Sequence, residues 1–136
     1  MDYNTLDANY KTGEVGGKCG SYENQCSIRM SGALRKSGFN LDSYGDPTCT
    51  DESGEIRTRG AESLANYLWK KYGPAKKFPS VDKAKINMKG KTGIVFFKDI
   101  PGFQDGRGDH IDMWDGNSTK GGYFYNSKEI WFWEMK

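Results

Sequence analysis

Apolar and polar positions divide the chain into a helical half followed by a stranded half. From Cys26 onward, Cys26, Met30, Ala33, Leu34 and Ser37 recur at i, i+4, i+7, i+8 and i+11, one face of a helix closed by Gly38. The spacing predicts a helix over 25–37. In "TRGAESLANYLWKKYGP", Ala61, Leu64, Ala65, Leu68, Trp69 and Tyr72 fall on a second helical face, with Glu62, Asn66 and Lys70 elsewhere and Gly73-Pro74 as the stop. The pattern then changes. "GIVFFK" (93–98), "DHIDMWD" (109–115), "GYFYN" (122–126) and "EIWFWEM" (129–135) are β-branched or aromatic runs separated by glycine-rich turns, and each predicts a strand. Helices first and strands afterwards describe an α+β domain with a mostly antiparallel sheet.

Three stretches carry no sustained period. Residues 1–24 read as an irregular arm, 39–57 as a long loop dense in Gly, Asp, Ser and Pro, and 75–91 as a basic connector. No internal repeat is present.

Composition sets bounds on this picture. A chain of 136 residues suits one domain with one core, so 1–136 is read as a single unit. A net charge of +2 without long like-charged runs gives no nucleic-acid footprint. No apolar stretch approaches a bilayer span, and the first twenty residues lack the apolar segment of a secretory signal, so neither membrane insertion nor the general secretory route is expected. Three cysteines leave two readings open: a Cys19–Cys49 bridge, joining the loops on either side of the first helix, with Cys26 free, or three reduced thiols. One histidine and three dispersed cysteines, with no CxxC or HExxH, exclude a metal cluster of recognisable spacing, and the glycine–acid stretch at 102–109 fits neither an EF-hand nor a phosphate loop; no cofactor is expected.

The candidate chemistry lies in Cys26 and in the sole histidine, His110. Under period two, His110, Asp112 and Trp114 share one strand face and Ile111 and Met113 the other. The second face packs on the helices, and the first reads as too polar for core. A helix start favours a thiolate through its unpaired N–H groups, and an imidazolium favours it further. A strand lying beside the first helix would bring the two residues together as nucleophile and base, with the helix N–H groups as an oxyanion hole. Asp112 is the first candidate to orient the ring, Asp115 the second, and Asn126 on the next strand the third. The duller alternatives are a packed cysteine and a structural histidine.

"QCSIRMSGAL", "RTRGAESLANYLWKKYGP", "GKTGIVFFKDIPGF", "GDHIDMWDG" and the closing "IWFW" together resemble the fourth family of type VI secretion amidase effectors, over most of the chain from Cys26 to the end. The resemblance implies a papain-like, NlpC-type fold with Cys26 as nucleophile and His110 as base. It further implies an endopeptidase cutting peptidoglycan stem peptides between D-glutamate and diaminopimelate. Such effectors are delivered by the type VI secretion machinery into the periplasm of rival Gram-negative cells, and a cognate immunity protein plugs the cleft. The family's acid follows its histidine at a longer interval, inside a cysteine-bearing loop, where this chain has only "DGNSTKGG"; Asp112 therefore rests on strand geometry. Within this reading Tyr22, Ser27 and Trp114 line the groove, and Arg107 pairs with a stem carboxylate unless it is a solvated loop charge. A non-catalytic binding module on the same fold, or a papain-like deamidase or acyltransferase acting on a protein, are the competing functions.

Overall fold

The computed structural model describes residues 1–45, 47–102 and 108–136. Among the described residues, four helices and six strands follow one another as α1 (Tyr3–Asn9), α2 (Cys26–Lys36), β1 (Thr48–Thr50), β2 (Ile56–Thr58), α3 (Ala61–Lys71), β3 (Lys76–Phe78), α4 (Val81–Met88), β4 (Gly93–Ile100), β5 (Gly108–Trp114) and β6 (Glu129–Glu134), with a short 3-10 helix at Gly17–Ser21. The main sheet is antiparallel with the order β3-β6-β4-β5, and β1 and β2 form a separate hairpin. No helix among the described residues is long and apolar enough to cross a membrane.

The α+β expectation holds, and the alternation along β5 explains how the sheet is packed. Ile111 and Met113, with Ile94, Phe96, Trp131 and Trp133, face Met30, Leu34, Leu64 and Leu68 of α2 and α3. The other face was read as too polar for core, and the structure corrects this. Trp114 joins Val95, Phe97, Ile130 and Phe132 in a second cluster, closed by Ala84 and Met88 of α4 and by Phe124 and Tyr125. Its indole N–H donates to the Met88 carbonyl at 3.0 Å. With one layer on each side, the sheet is buried on both faces, and β5 lies at its edge.

Each stretch that reads as irregular contains a short element with a local cause. Asp2 caps α1 by accepting from the Thr5 N–H at 2.8 Å, and Tyr3 and Leu6 bury one face of that helix. Ser80 caps α4 through the Lys83 N–H at 3.3 Å, with Ala84 and Met88, one turn apart, as its buried side. The loop at 39–57 holds β1 and the start of β2, whose hairpin runs on to Thr58. "GYFYN", expected as a strand, is none: Phe124 and Tyr125 lie against the sheet face, and the one isolated bridge among the described residues lies before it, between Trp114 and Thr119.

Two contacts seat the start of α2. Arg57 forms a 2.8 Å ion pair with the buried Asp51 and donates to the Ile28 carbonyl at 3.1 Å. Gly32 leaves room for that guanidinium, since a Cβ there would run into it. The second contact is covalent, because Cys19 and Cys49 are bridged across a separation of 30 residues while Cys26 is free. Cys19 and Cys49 pack with Val15 and Ile28, so the bridge fastens the arm leading into Cys26. Closing a loop of this length constrains the unfolded chain by about 3–4 kcal/mol. Reduction is expected to lower the guanidinium unfolding midpoint accordingly; an unchanged midpoint with and without reductant would refute this.

Candidate active site

Cys26 is the first residue of α2 and is 5% exposed. The approach to it is held by polar side chains. Asn24 Oδ1 accepts from the Cys26 N–H at 3.3 Å. The buried Gln25 side chain accepts from the Val15 N–H at 2.7 Å and donates to the Val15 and Cys19 carbonyls, both at 3.1 Å. Beyond Cys26 the next N–H groups of the first turn have no carbonyl partner within the helix.

Because β5 is an edge strand packed beside α2, His110 reaches the helix start. Asp112 Oδ2 lies 2.9 Å from His110 Nε2 and also accepts from the Gly121 N–H at 3.0 Å. Asp112 Oδ1 accepts from the Met113 N–H at 2.8 Å, so both carboxylate oxygens are engaged in a residue only 1% exposed. The Cys26 thiol lies close enough to the imidazole to raise its pKa. With Nε2 facing Asp112, Nδ1 is the ring nitrogen left for sulfur. Phe97 stacks against the ring at 6.2 Å between centroids, and Tyr125 meets it edge-on at 5.0 Å.

The electrostatics favour a charged ring. Burial is the largest single influence on His110 and works against the imidazolium. The Asp112 hydrogen bond, the nearby Cys26 sulfur and the charges of the same two groups outweigh it, raising the pKa from 6.5 to about 9. Burial, followed by the Asp112 charge, raises the phenols of Tyr10 and Tyr125.

The remaining expected residues divide. Tyr22 and Ser27 line a cavity of about 230 Å³ together with Cys26, Asn24, Arg59 and Gly60. The Ser27 hydroxyl is already engaged with the Thr58 hydroxyl at 3.0 Å. Trp114 does not belong to this group; it is 4% exposed, sits in the second core and borders a different cavity, of about 290 Å³, with Lys85, Lys89 and Phe124. Asp115 is turned away, capping its own turn by accepting from the Asn117 and Ser118 N–H groups at 2.8 and 2.7 Å. Asn126 is exposed. Arg107 lies outside the described residues. Sequence reasoning missed Arg59, visible only as the charge before the second helix, and Gly121, where a Cβ would sit 2.9 Å from Asp112 Oδ2. One acidic cluster, Glu62, Asp99 and Asp109, has carboxylate oxygens within 4.8 Å of one another, and none of the three lines the Cys26 cavity.

A cysteine at a helix start, an imidazole on the neighbouring edge strand and an antiparallel sheet behind them define the papain-like, NlpC-type class. Residues 22–133 match the family described as type VI secretion system (T6SS) amidase effector protein 4, Tae4. The chain belongs to this family, and is thus a peptidoglycan amidase effector of type VI secretion. No match was found among curated protein sequences. Among solved structures it is similar to Tae4 of Salmonella typhimurium, in complex with the immunity protein Tai4 from Enterobacter cloacae, at 17% identity and a TM-score of 0.77 over 99% of both chains. Tae4 of Enterobacter cloacae is similar at 23% identity and a TM-score of 0.75, over 98% of this chain and 93% of the other. The Tae4–Tai4 complex of the same organism matches at 22% identity and a TM-score of 0.74, over 98% and 95%.

Proposed function

We propose that the protein hydrolyses the amide between D-glutamate and diaminopimelate in peptidoglycan stems, with Cys26 as nucleophile, His110 as base and acid, and Asp112 as the group that orients the ring. The observation that carries this reading is the single imidazole bonded to Asp112 and close enough to the Cys26 thiol, at the start of α2, for the sulfur to raise its pKa. The charged imidazole provides a cation beside the sulfur. The sulfur anion attacks the γ-carbonyl carbon, forming a C–S bond, and the oxyanion is met by N–H groups of the first turn of α2. The C–N bond breaks as His110 passes its proton to the departing amine of diaminopimelate. A water, deprotonated by the same ring, then cleaves the thioester, releasing the D-glutamate γ-carboxylate and the free thiol side chain.

The site of action is the periplasm of a recipient Gram-negative cell, reached through the type VI machinery. The Cys19–Cys49 bridge suits such an oxidising compartment. An immunity protein covers the cleft in the producing cell, as Tai4 accompanies the Tae4 relatives.

Digestion of isolated Gram-negative sacculi followed by mass spectrometry tests the reaction. The expected fragments carry a new D-glutamate γ-carboxylate and a new diaminopimelate amine. Intact stems after prolonged incubation would support a binding module or a protein-directed deamidase instead.

A further inference from the structure

The cavity beside Cys26 contains one cation among its described lining residues, Arg59, and one anion, the exposed Glu23. Arg59 is fixed from several directions. Its backbone N–H donates to the Pro47 carbonyl at 2.9 Å, and its own carbonyl accepts from the Tyr44 hydroxyl at 3.1 Å. In the side chain, Nε donates to the Thr48 carbonyl at 3.0 Å, and the guanidinium carbon lies 4.3 Å above the Tyr22 ring. These contacts use one of the five guanidinium N–H donors and hold the plane of the others at the cavity. Among the described residues no carboxylate is paired with them.

Arginine clamped on an aromatic ring, with its terminal N–H groups available, is suited to a planar carboxylate. The substrate proposed above supplies one in a distinctive place. A D-glutamyl residue linked through its γ-carbonyl keeps its α-carboxylate free, on the acyl side of the scissile amide. An α-linked residue has no carboxylate there. We infer that Arg59 is a specificity-determining residue that binds the free α-carboxylate of γ-linked D-glutamate beside Cys26. This rests on the stem-peptide reading and adds to it the group by which the acyl side is recognised. Tyr22 then serves as the platform that holds the guanidinium flat.

The test compares two synthetic stems, L-alanyl-γ-D-glutamyl-diaminopimelate with the D-glutamate α-carboxylate free, and the same tripeptide with that group as a carboxamide. For the wild type, kcat/KM is expected to favour the free acid by about 10- to 100-fold, the range of a lost charge-assisted hydrogen bond. In Arg59→Met, which keeps an unbranched stem over Tyr22 but no charge, the ratio is expected to fall to near unity because the free acid loses more than the carboxamide does. Arg59→Lys, with the charge but without the fork, is expected to fall between them. A merely structural role would lower both substrates together and leave the ratio unchanged, which would overturn the assignment, as would a wild type indifferent to the α-group. Absence of turnover on either stem would instead overturn the amidase reading itself and this inference with it.

Discussion

Cys26→Ala is expected to lower kcat/KM on stem peptides by at least about 10⁴-fold while the protein stays folded. The size of the effect follows from role. Without the sulfur no covalent intermediate forms, and only the N–H groups of α2 and substrate binding remain. The fold should tolerate the change because Cys26 contributes only a small side chain to a cluster built mainly by Met30, Leu34, Leu64 and Leu68. Losing one buried sulfur costs on the order of 1 kcal/mol. Cys26→Ser keeps the shape and replaces the thiol by a far weaker acid, so it is expected to be nearly as inactive. Muropeptide release followed by chromatography, alongside a thermal melt, checks both variants. Near-normal turnover by a folded Cys26→Ala would remove the nucleophile from the account.

The second large effect is expected at Asp112. Asp112→Ala should lower kcat/KM by about 10²- to 10⁴-fold, because the ring loses the partner that fixes its tautomer and its charge. Asp112→Asn separates geometry from charge. An amide still offers one oxygen, but Asp112 now accepts on both sides, from Met113 on one and from His110 and Gly121 on the other, so one side must face an N–H₂ group. Asn is therefore expected to be less damaging than Ala. The pH profile should move as well. His110 must be charged to protonate the leaving amine, and its pKa of about 9 means the wild-type rate is sustained through neutral pH and falls as pH rises through that value. Removing the Asp112 charge leaves burial acting against the cation, so the alkaline limb shifts to lower pH. An Asp112→Asn profile superimposable on the wild type would show that Asp112 does not hold the imidazolium.

Much of this architecture was legible along the chain, for physical reasons that also mark where reading fails. Helix α3 is visible because Leu64, Ala65 and Leu68 repeat on one face between Gly60 and Gly73, and β4, β5 and β6 because aromatic and β-branched residues cluster there. Helix α4 was hidden by its lysines; its core contact is one turn, Ala84 and Met88, and the Ser80 cap was the available signal. "GYFYN" has strand composition, yet its aromatics serve as a lid on the sheet, a choice made by tertiary packing. Trp114 shows the same limit. Alternation assigned it correctly to the His110 face, but one strand cannot reveal that α4 and Phe124 cover that face at Trp114.

At the site, a chain with a single histidine and one cysteine at a helix start narrows the chemistry before any coordinates. The pairing of Asp112 with His110 was within reach because the two share a strand face. Arg59 and Gly121 were not, since their neighbours, Tyr22 and Asp112, meet them only after folding.

The single histidine also makes the bonding of the ring directly measurable. A ¹³C or ¹⁵N NMR titration of the imidazole has one set of ring signals to follow. A midpoint near 9 is expected in the wild type, falling in Asp112→Asn and also in Cys26→Ala, since both partners raise it. A midpoint near 6.5 that ignores both substitutions would contradict it, for the ring would then be bound to neither the carboxylate nor the sulfur.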